Sequence, residues 1–325
     1  LEKVYCRRDW NAKFPLFFQR VSVNKLTIRQ FKVDLSKLSE IVQAWDRGPL
    51  VDAQAITLGI ENRNAFVTLA GPPPKRWVLT LRDAPPAEDA LRLMMALANG
   101  GLPVPLPEPG RDGLTVQPIR DDLAMLIPVF PGTHLTQPDS NALYTLGRTL
   151  GEAHRLARDL PGRPHPRNLP WMTAIAETVK GEARSVLDHA LALQASWALG
   201  AALPQGLVHG DLFRDNVLFQ DGQVSGLIDF DHTARGPLLF DLAVVALDWA
   251  YLADGGEAEL AALASGYEAE RPLEVGEREA WGRALELASL RFALARIAAP
   301  KKDPAPIIAW LARWADAPPP WPGKG

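Results

Sequence analysis

The sequence predicts an α+β protein of two lobes, a small one built on an antiparallel sheet and a larger, mainly helical one. Three observations carry this reading. Residues 55–83, AITLGIENRNAFVTLAGPPPKRWVLTLRD, divide into three apolar runs separated by Gly- and Pro-containing turns, as antiparallel strands do. From Asp139 onward apolar residues recur every three or four positions, the period of helices buried on one face. Between these helical runs LVHGDLFRDNVLF, residues 207–219, crowds a His, two Asp, an Arg and an Asn against apolar neighbours. Burying such groups unpaired costs about 1–3 kcal/mol each, so they are expected to serve a function.

Residues 1–32 hold eight basic residues against Glu2 and Asp9, and no Met occurs before Met94. Ser22 is their only serine, which speaks against a Ser-rich transit peptide. The segment is expected to be a mis-assigned N-terminal extension, with the true start near Val33. A helix then opens on the capping residue Asp34 and places Leu38, Ile41, Val42 and Trp45 at helical spacing. The three strands of 55–83 follow, then a helix over 87–99 with Leu91, Met94, Met95 and Ala98 on one face. GLPVPLPEP leads to a hairpin around VQPIRDDLAMLIPVF. A short connection near 127–133 precedes a helix capped by Asp139 or Ser140, with Leu143, Leu146, Leu150, Ala153 and Ala157 as its buried stripe. Further helices are expected over roughly 173–200, 276–299 and 305–315, before a Pro-rich tail at 319–325. The N-lobe thus spans 33–127 and the C-lobe 128–318.

The 325 residues are 47% hydrophobic and 22% charged, with a formal charge of -3, ordinary globular values. No basic surplus exists to grip phosphates along a duplex, which argues against nucleic acid as a partner. A single cysteine, Cys6, excludes an intramolecular disulfide and fits a reducing compartment. The longest uncharged stretch, 189–210, contains Gln, Ser, Gly and Pro, and Leu238–Leu252 is broken by Asp241 and Asp248. Neither reads as a membrane span, and the protein reads as cytoplasmic. The sequence carries no sign of oligomeric state.

In the central motif, His209-x-Asp211-x4-Asn216 is followed by the apolar strand Val217-Leu-Phe, a turn at Asp221-Gly222 and the strand GLIDFD carrying Asp229. Two short strands joined by a turn place Asn216 and Asp229 at neighbouring ends, with Asp211 in the loop before them. Such oxygen donors suit Mg²⁺, a hard cation that keeps several waters and shares phosphate oxygens. Phosphoryl transfer asks for little more: a metal to neutralise charge, in-line positioning, and a carboxylate to orient the attacking hydroxyl. Alone, H-x-D-x4-N reads equally as a polar turn. Asp229, thirteen residues past Asn216, and Asp241 at the head of an apolar helix in FDLAVVA favour phosphoryl transfer. The six His form no H-E-x-x-H, and no G-x4-G-K-[ST] occurs, which disfavours a zinc hydrolase and a P-loop protein.

HGDLFRDNVLF, GLIDFD and FDLA resemble the aminoglycoside phosphotransferase/choline kinase superfamily. GIENRNAFV (59–67), WVLTL (77–81), GLPVP (101–105), LPWM (169–172) and ALDWA (246–250) resemble more nearly its branch of kinase-like homoserine kinases. The likeness runs from about Leu58 to Trp249. It implies a protein-kinase-like fold and ATP- and Mg²⁺-dependent transfer of the γ-phosphoryl group to the hydroxyl of L-homoserine, a step of threonine biosynthesis. Asp211 would then be the catalytic carboxylate, and Asn216 and Asp229 the metal ligands. His209 would act as a scaffold and Asp241 as the acid that holds the catalytic loop. Gly59, Asn62 and Asn64 would belong to the turn over the phosphates. Leu126 and Pro128 would lie in the hinge that reads adenine through backbone groups, the alternative being an ordinary buried strand.

One departure stands out. Where the wider superfamily has a Lys or Arg that pairs with the nucleotide, this chain has Thr80. Arg82, on the same strand face, either supplies the charge or is a solvated strand end. The acidic partner on the next helix would be Glu88 or Asp89, both in its first turn, where acids also serve the helix dipole. For the acceptor, the resemblance places Asp248 near the ammonium, Trp249 in the pocket wall and Arg214 near a carboxylate or phosphate. The alternative is that Arg214 pairs with Asp215 or lies on the surface. DHTARGPLLFD, residues 231–241, is less typical of homoserine kinases and borders the acceptor site in this fold, so another amino alcohol or an aminoglycoside is the rival acceptor. A rival of a different class is a nucleotide-binding pseudokinase serving as an interaction module, favoured by Thr80 and opposed by the intact Asp211, Asn216 and Asp229.

Overall fold

The computed structural model describes residues 35–56, 62–71, 75–119, 122–196, 203–252, 256–299, 303–315 and 317–323. The extension 1–32, the cap Asp34, Gly59, the prolines at 72–74 and the end of the expected 173–200 helix lie outside them. The chain divides into two compact units, one reaching Pro85 and resuming at Leu106–Val129, the other formed by Pro86–Pro105 and the chain from Phe130 onward.

In the first unit, helix α1 (Leu35–Val42) precedes strands β1 (Leu50–Ile56), β2 (Arg63–Leu69) and β3 (Lys75–Arg82), and the hairpin β4 (Gln117–Ile119) and β5 (Asp122–Pro128) completes the sheet. The order is β1-β2-β3-β5-β4, antiparallel throughout. Alternation along β2 and β3 sends Ala65, Val67, Leu69, Trp77, Leu79 and Leu81 into one core with Leu38, Val42 and Trp45. The other face of the same strands therefore carries Asn64, Phe66, Val78, Thr80 and Arg82. Trp45 also donates its indole N–H to the Glu108 carbonyl at 2.9 Å, tying α1's exit to the stretch before β4.

The second unit opens with α2 (Glu88–Asn99). It buries Ala90, Leu93, Met94 and Leu97, not the face through Leu91, Met95 and Ala98 that apolar spacing suggested. The reason is Asp89: its carboxylate accepts from the Arg163 backbone N–H at 2.7 Å and from Arg92 at 2.6 Å, which turns a polar position inward. Helix α3 (Ser140–Ala157) is capped by Asp139, whose side chain accepts from the Ala142 N–H at 2.8 Å, a bond of about 1 kcal/mol. The expected single helix over 173–200 is two, α4 (Leu169–Ala176) and α5 (Glu182–Ser196). They part around Gly181, whose φ of +74° cannot continue a helix.

Strand β6 (Gln205–Val208) pairs antiparallel with β9 (Ala234–Pro237), and β7 (Val217–Gln220) with β8 (Gln223–Leu227). The β7–β8 hairpin closes on Asp221 and Gly222, both at positive φ, as a tight two-residue turn requires. The expected strand GLIDFD ends at Leu227, and Phe230–His232 is a 3-10 turn. β9 carries no apolar alternation and is held by backbone pairing. Helix α6 (Leu239–Ala246) runs into a π-helical turn at Leu247–Tyr251, followed by α7 (Glu257–Glu270), α8 (Val275–Glu279), α9 (Trp281–Ala298) and α10 (Ala305–Trp314). Beyond α10, Trp321 packs edge-on against Trp281 at 5.0 Å. α3 and α7 approach so closely that a Cβ on Gly147 would lie 2.3 Å from the Leu263 carbonyl, and one on Gly266 2.0 Å from that of Tyr144. Among the described residues no helix is long and apolar enough to cross a membrane.

Candidate active site

The loop between β6 and β7 is gripped by its backbone. Asp241, 1% exposed in the first turn of α6, accepts the His209 N–H at 2.6 Å and the Gly210 N–H at 2.8 Å. Asp248, on the π turn, accepts the Arg214 N–H at 2.9 Å, and the Trp249 indole donates to the Leu212 carbonyl at 3.1 Å. Four loop residues are thus fixed by three side chains of one helical segment. Only glycine fits at 210: φ is +83° and a Cβ would stand 2.4 Å from the His232 carbonyl.

Inside the loop, the Asn216 amide nitrogen donates to the Asp211 carbonyl at 2.7 Å and to its carboxylate at 3.2 Å, which leaves Oδ1 as the Asn216 atom suited to a cation. The Ile228 N–H donates to the Asn216 carbonyl at 3.0 Å, so the neighbouring ends of β7 and β8 bring Asn216 beside the stretch that carries Asp229. Asp229 is exposed and left-handed, φ 64° and ψ 68°, a conformation that costs a non-glycine residue about 1 kcal/mol or more. His209 bridges the two segments. Its Nδ1 accepts the Asp211 N–H at 3.3 Å, so Nε2 carries the proton and donates to the Ile228 carbonyl at 3.0 Å. Burial, the largest influence, keeps this imidazole below its usual pKa and therefore neutral.

Arg214 and Asp248, expected to meet opposite ends of an acceptor, are brought together: Arg214 Nε donates to Asp248 Oδ2 at 3.2 Å, and NH1 to the Thr136 carbonyl at 2.9 Å. Trp249, expected in a pocket wall, is fully buried.

Sequence reasoning missed a buried polar chain behind the loop. Glu277 accepts both Arg271 bonds at 3.0 and 3.1 Å, and Arg271 donates to the Tyr267 hydroxyl at 2.9 Å. The hydroxyl proton is thereby directed to His154 Nδ1 at 2.7 Å. The His154 proton must then sit on Nε2, 3.4 Å from Asp241 Oδ2. Burial holds His154 below its usual pKa. The signal was present in the sequence: a histidine inside the apolar stripe of α3, and Tyr267 and Arg271 one helical turn apart.

In the first unit, Asn64 pairs across the sheet with Thr80, which is buried. Asn64 Oδ1 is shut off from solvent with no hydrogen-bond partner among the described residues. Arg82 donates to the Ala84 carbonyl at 3.2 Å. Asn62 precedes β2. The Leu126 side chain lies in the sheet core and its carbonyl accepts from the Glu108 N–H at 2.7 Å, while Pro128 pairs with Trp77 and has no N–H to offer. In the second unit, Glu88 and Asp89 both pair with Arg92.

Among the described residues no cluster of three or more His, Cys, Asp or Glu side chains could hold a metal ion. The oxygen donors near the loop are one amide and carboxylates, the hard and incomplete set that suits Mg²⁺ shared with phosphate oxygens rather than a protein cage.

Residues 52–287 match the phosphotransferase enzyme family. The homoserine kinase of Pseudomonas aeruginosa (strain UCBPP-PA14) is 37% identical over 278 residues, covering 82% of this chain and 87% of that protein. The homoserine kinase of Neisseria meningitidis serogroup B is 33% identical over 267 residues, covering 79% and 86%. Among solved structures, an amicoumacin kinase in complex with AMP-PNP, Ca2+ and Ami gives a TM-score of 0.66 at 17% identity over 86% of this chain and 90% of that one. The microcompartment-associated aminopropanol kinase gives 0.61 at 17% identity over 86% and 94%. At these identities the structures share the fold.

Proposed function

The chain belongs to the phosphotransferase enzyme family, and from that premise we propose that it transfers the γ-phosphoryl group of ATP to the hydroxyl of L-homoserine, giving O-phospho-L-homoserine. The observation that carries the reading is the gripped loop: Asp211 and Asn216 are hydrogen-bonded to each other, and Asn216 is bonded to the residue before Asp229. Asp211 orients the acceptor hydroxyl and takes up its proton. Asn216 Oδ1 and the Asp229 carboxylate hold Mg²⁺, which neutralises phosphate charge when bound. His209 and Asp241 keep the loop's main chain in place. Asn62, Asn64, Thr80 and Arg82 serve the nucleotide phosphates together with Gly59, and the strand from Leu126 to Pro128 serves the adenine. Arg214 and Asp248 meet the acceptor as a pair, with Trp249 fixing the backbone beneath them.

That pairing favours a second reading, transfer to another amino alcohol or an aminoglycoside, because an arginine neutralised by Asp248 attracts a carboxylate less strongly. An ADP-release assay across homoserine, serine, choline and kanamycin separates these readings from each other and from a pseudokinase. Homoserine is expected to be turned over fastest, and Asp211→Ala to abolish transfer. Turnover of the variant within about tenfold of the parent would contradict the assignment of Asp211.

A further inference from the structure

The second unit contains a cavity of about 270 Å³ whose lining includes none of Asp211, Asn216 and Asp229. It is smaller than the roughly 300–1,000 Å³ that hold drug-sized ligands, so only a small molecule fits. Leu169, Met172, Val208, Phe240 and Leu287 supply apolar wall. The charged residues of the lining are all of one sign: Arg291 and Arg235 line it, and no carboxylate does.

Arg291 is the unusual member. Its guanidinium lies over the Phe240 ring at 4.3 Å, and its Nε is shut off from solvent without a hydrogen-bond partner. Among the described residues no carboxylate pairs with it. Burial, reinforced by the nearby positive Arg167 and opposed by the Asp241 carboxylate behind the cavity wall, brings its pKa down to about 10, and it stays charged at neutral pH. A partly buried guanidinium whose Nε is shut off from water and to which no carboxylate is bonded is unfavourable. His165 adds a second unanswered donor. Its Nδ1 accepts the Arg167 N–H at 3.0 Å, and burial lowers its pKa to about 2. The ring is therefore neutral with its proton on Nε2, for which no acceptor is found among the described residues.

Two donors without acceptors and an apolar wall, in a chamber free of acids, define a complement: one planar anionic head on a small apolar body. We propose that this cavity binds a small organic carboxylate, its head received by Arg291 and His165 and its body by Leu169, Met172 and Leu287. A phosphate dianion is the poorer complement, because its second charge would stand against a wall that is mostly apolar. The carboxylate belongs either to the acceptor of the transfer reaction or to a separate effector.

Isovalerate, its neutral isostere isovaleramide and inorganic phosphate are titrated into the full chain by calorimetry. Isovalerate is expected to bind and isovaleramide not to. Arg291→Gln is expected to lose affinity by about tenfold or more, the worth of a charge-assisted hydrogen bond. Gly236→Leu guards against a variant that merely misfolds. Gly236 lines the cavity and a Cβ there meets nothing within 4 Å, so the variant keeps its melting temperature while filling the chamber and abolishing binding. No binding of isovalerate, equal binding of isovaleramide, tighter binding of phosphate, or unchanged affinity in Arg291→Gln would each overturn the proposal. A kinetic arm, which alone rests on the kinase reading, identifies the source: competition with the acceptor marks the cavity as the acceptor's carboxylate subsite, and inhibition or activation without competition marks an effector site.

Discussion

Asp241→Asn tests how the loop between β6 and β7 is held. The carboxylate accepts two backbone N–H groups through different oxygens, at 2.6 and 2.8 Å, with the His154 ring at 3.4 Å. Asparagine has one acceptor oxygen, so its NH₂ must face the second N–H, a donor against a donor. One buried N–H left unpaired costs about 1–3 kcal/mol, and loss of charge weakens the remaining bonds by about 1 kcal/mol more. Removing a buried charge returns part of its desolvation penalty, which places the net near 2–3 kcal/mol, the upper part of the range for single substitutions. The freed main chain at 209 and 210 also lets Asp211 move, and in the role proposed for it a shift of about 1 Å costs on the order of 100-fold in rate. Urea unfolding gives the first quantity and ADP release the second. A variant within about 0.5 kcal/mol of the parent in stability, and within about threefold in kcat, would refute the claim that Asp241 positions the loop.

Gly210→Ala must adopt a φ of +83° and place its Cβ 2.4 Å from the His232 carbonyl. A loss of about 2 kcal/mol or more is expected, read as a fall in melting temperature. His154, His165 and His209 are all held by burial below the ordinary imidazole value of 6.5, His165 at about 2. The unfolded chain therefore binds more protons below pH 6.5, and stability that is full above that pH is lost as pH falls below it, by up to about 1.4 kcal/mol per pH unit for His165, with His154 and His209 acting in the same direction. Urea midpoints compared at about pH 7.5 and about pH 5.5 check this, and equal midpoints would contradict it.

The parts of the fold that were legible are those where a side chain's local preference and its tertiary fate agree. Asp139 caps α3 because its carboxylate finds the Ala142 N–H three residues on, and the stripe from Leu143 to Ala157 is buried as its spacing predicts. β2 and β3 alternate because one face meets α1, whereas β1 lies at Leu50–Ile56, mostly ahead of the expected 55–83, and shows no such alternation. Legibility failed where polar groups turned inward. Asp89 rotated the buried face of α2 because a backbone N–H 74 residues away needed an acceptor, and no periodicity encodes that. The break between α4 and α5 hung on one glycine in an otherwise helical run. At the site, Asp211, Asn216 and Asp229 stood out by residue type and spacing. The pairing of Arg214 with Asp248 and the bond from Trp249 to Leu212 did not, because both depend on a π turn whose residues, LDWAY, read as ordinary helix.

That π turn and the helix before it have a consequence for how such a protein diversifies. Asp241, Asp248 and Trp249 hold main-chain atoms, which every amino acid but proline possesses in the same place. Apart from His209 and Gly210, the geometry around residues 209–214 is therefore indifferent to much of its own lettering: the side chains at 214 and 215 can be exchanged by mutation while the curve of the chain persists. On the proposed function, the acceptor can change in small steps, each still folded, because the course of the loop is set from a neighbouring helix rather than by the side chains at 214 and 215.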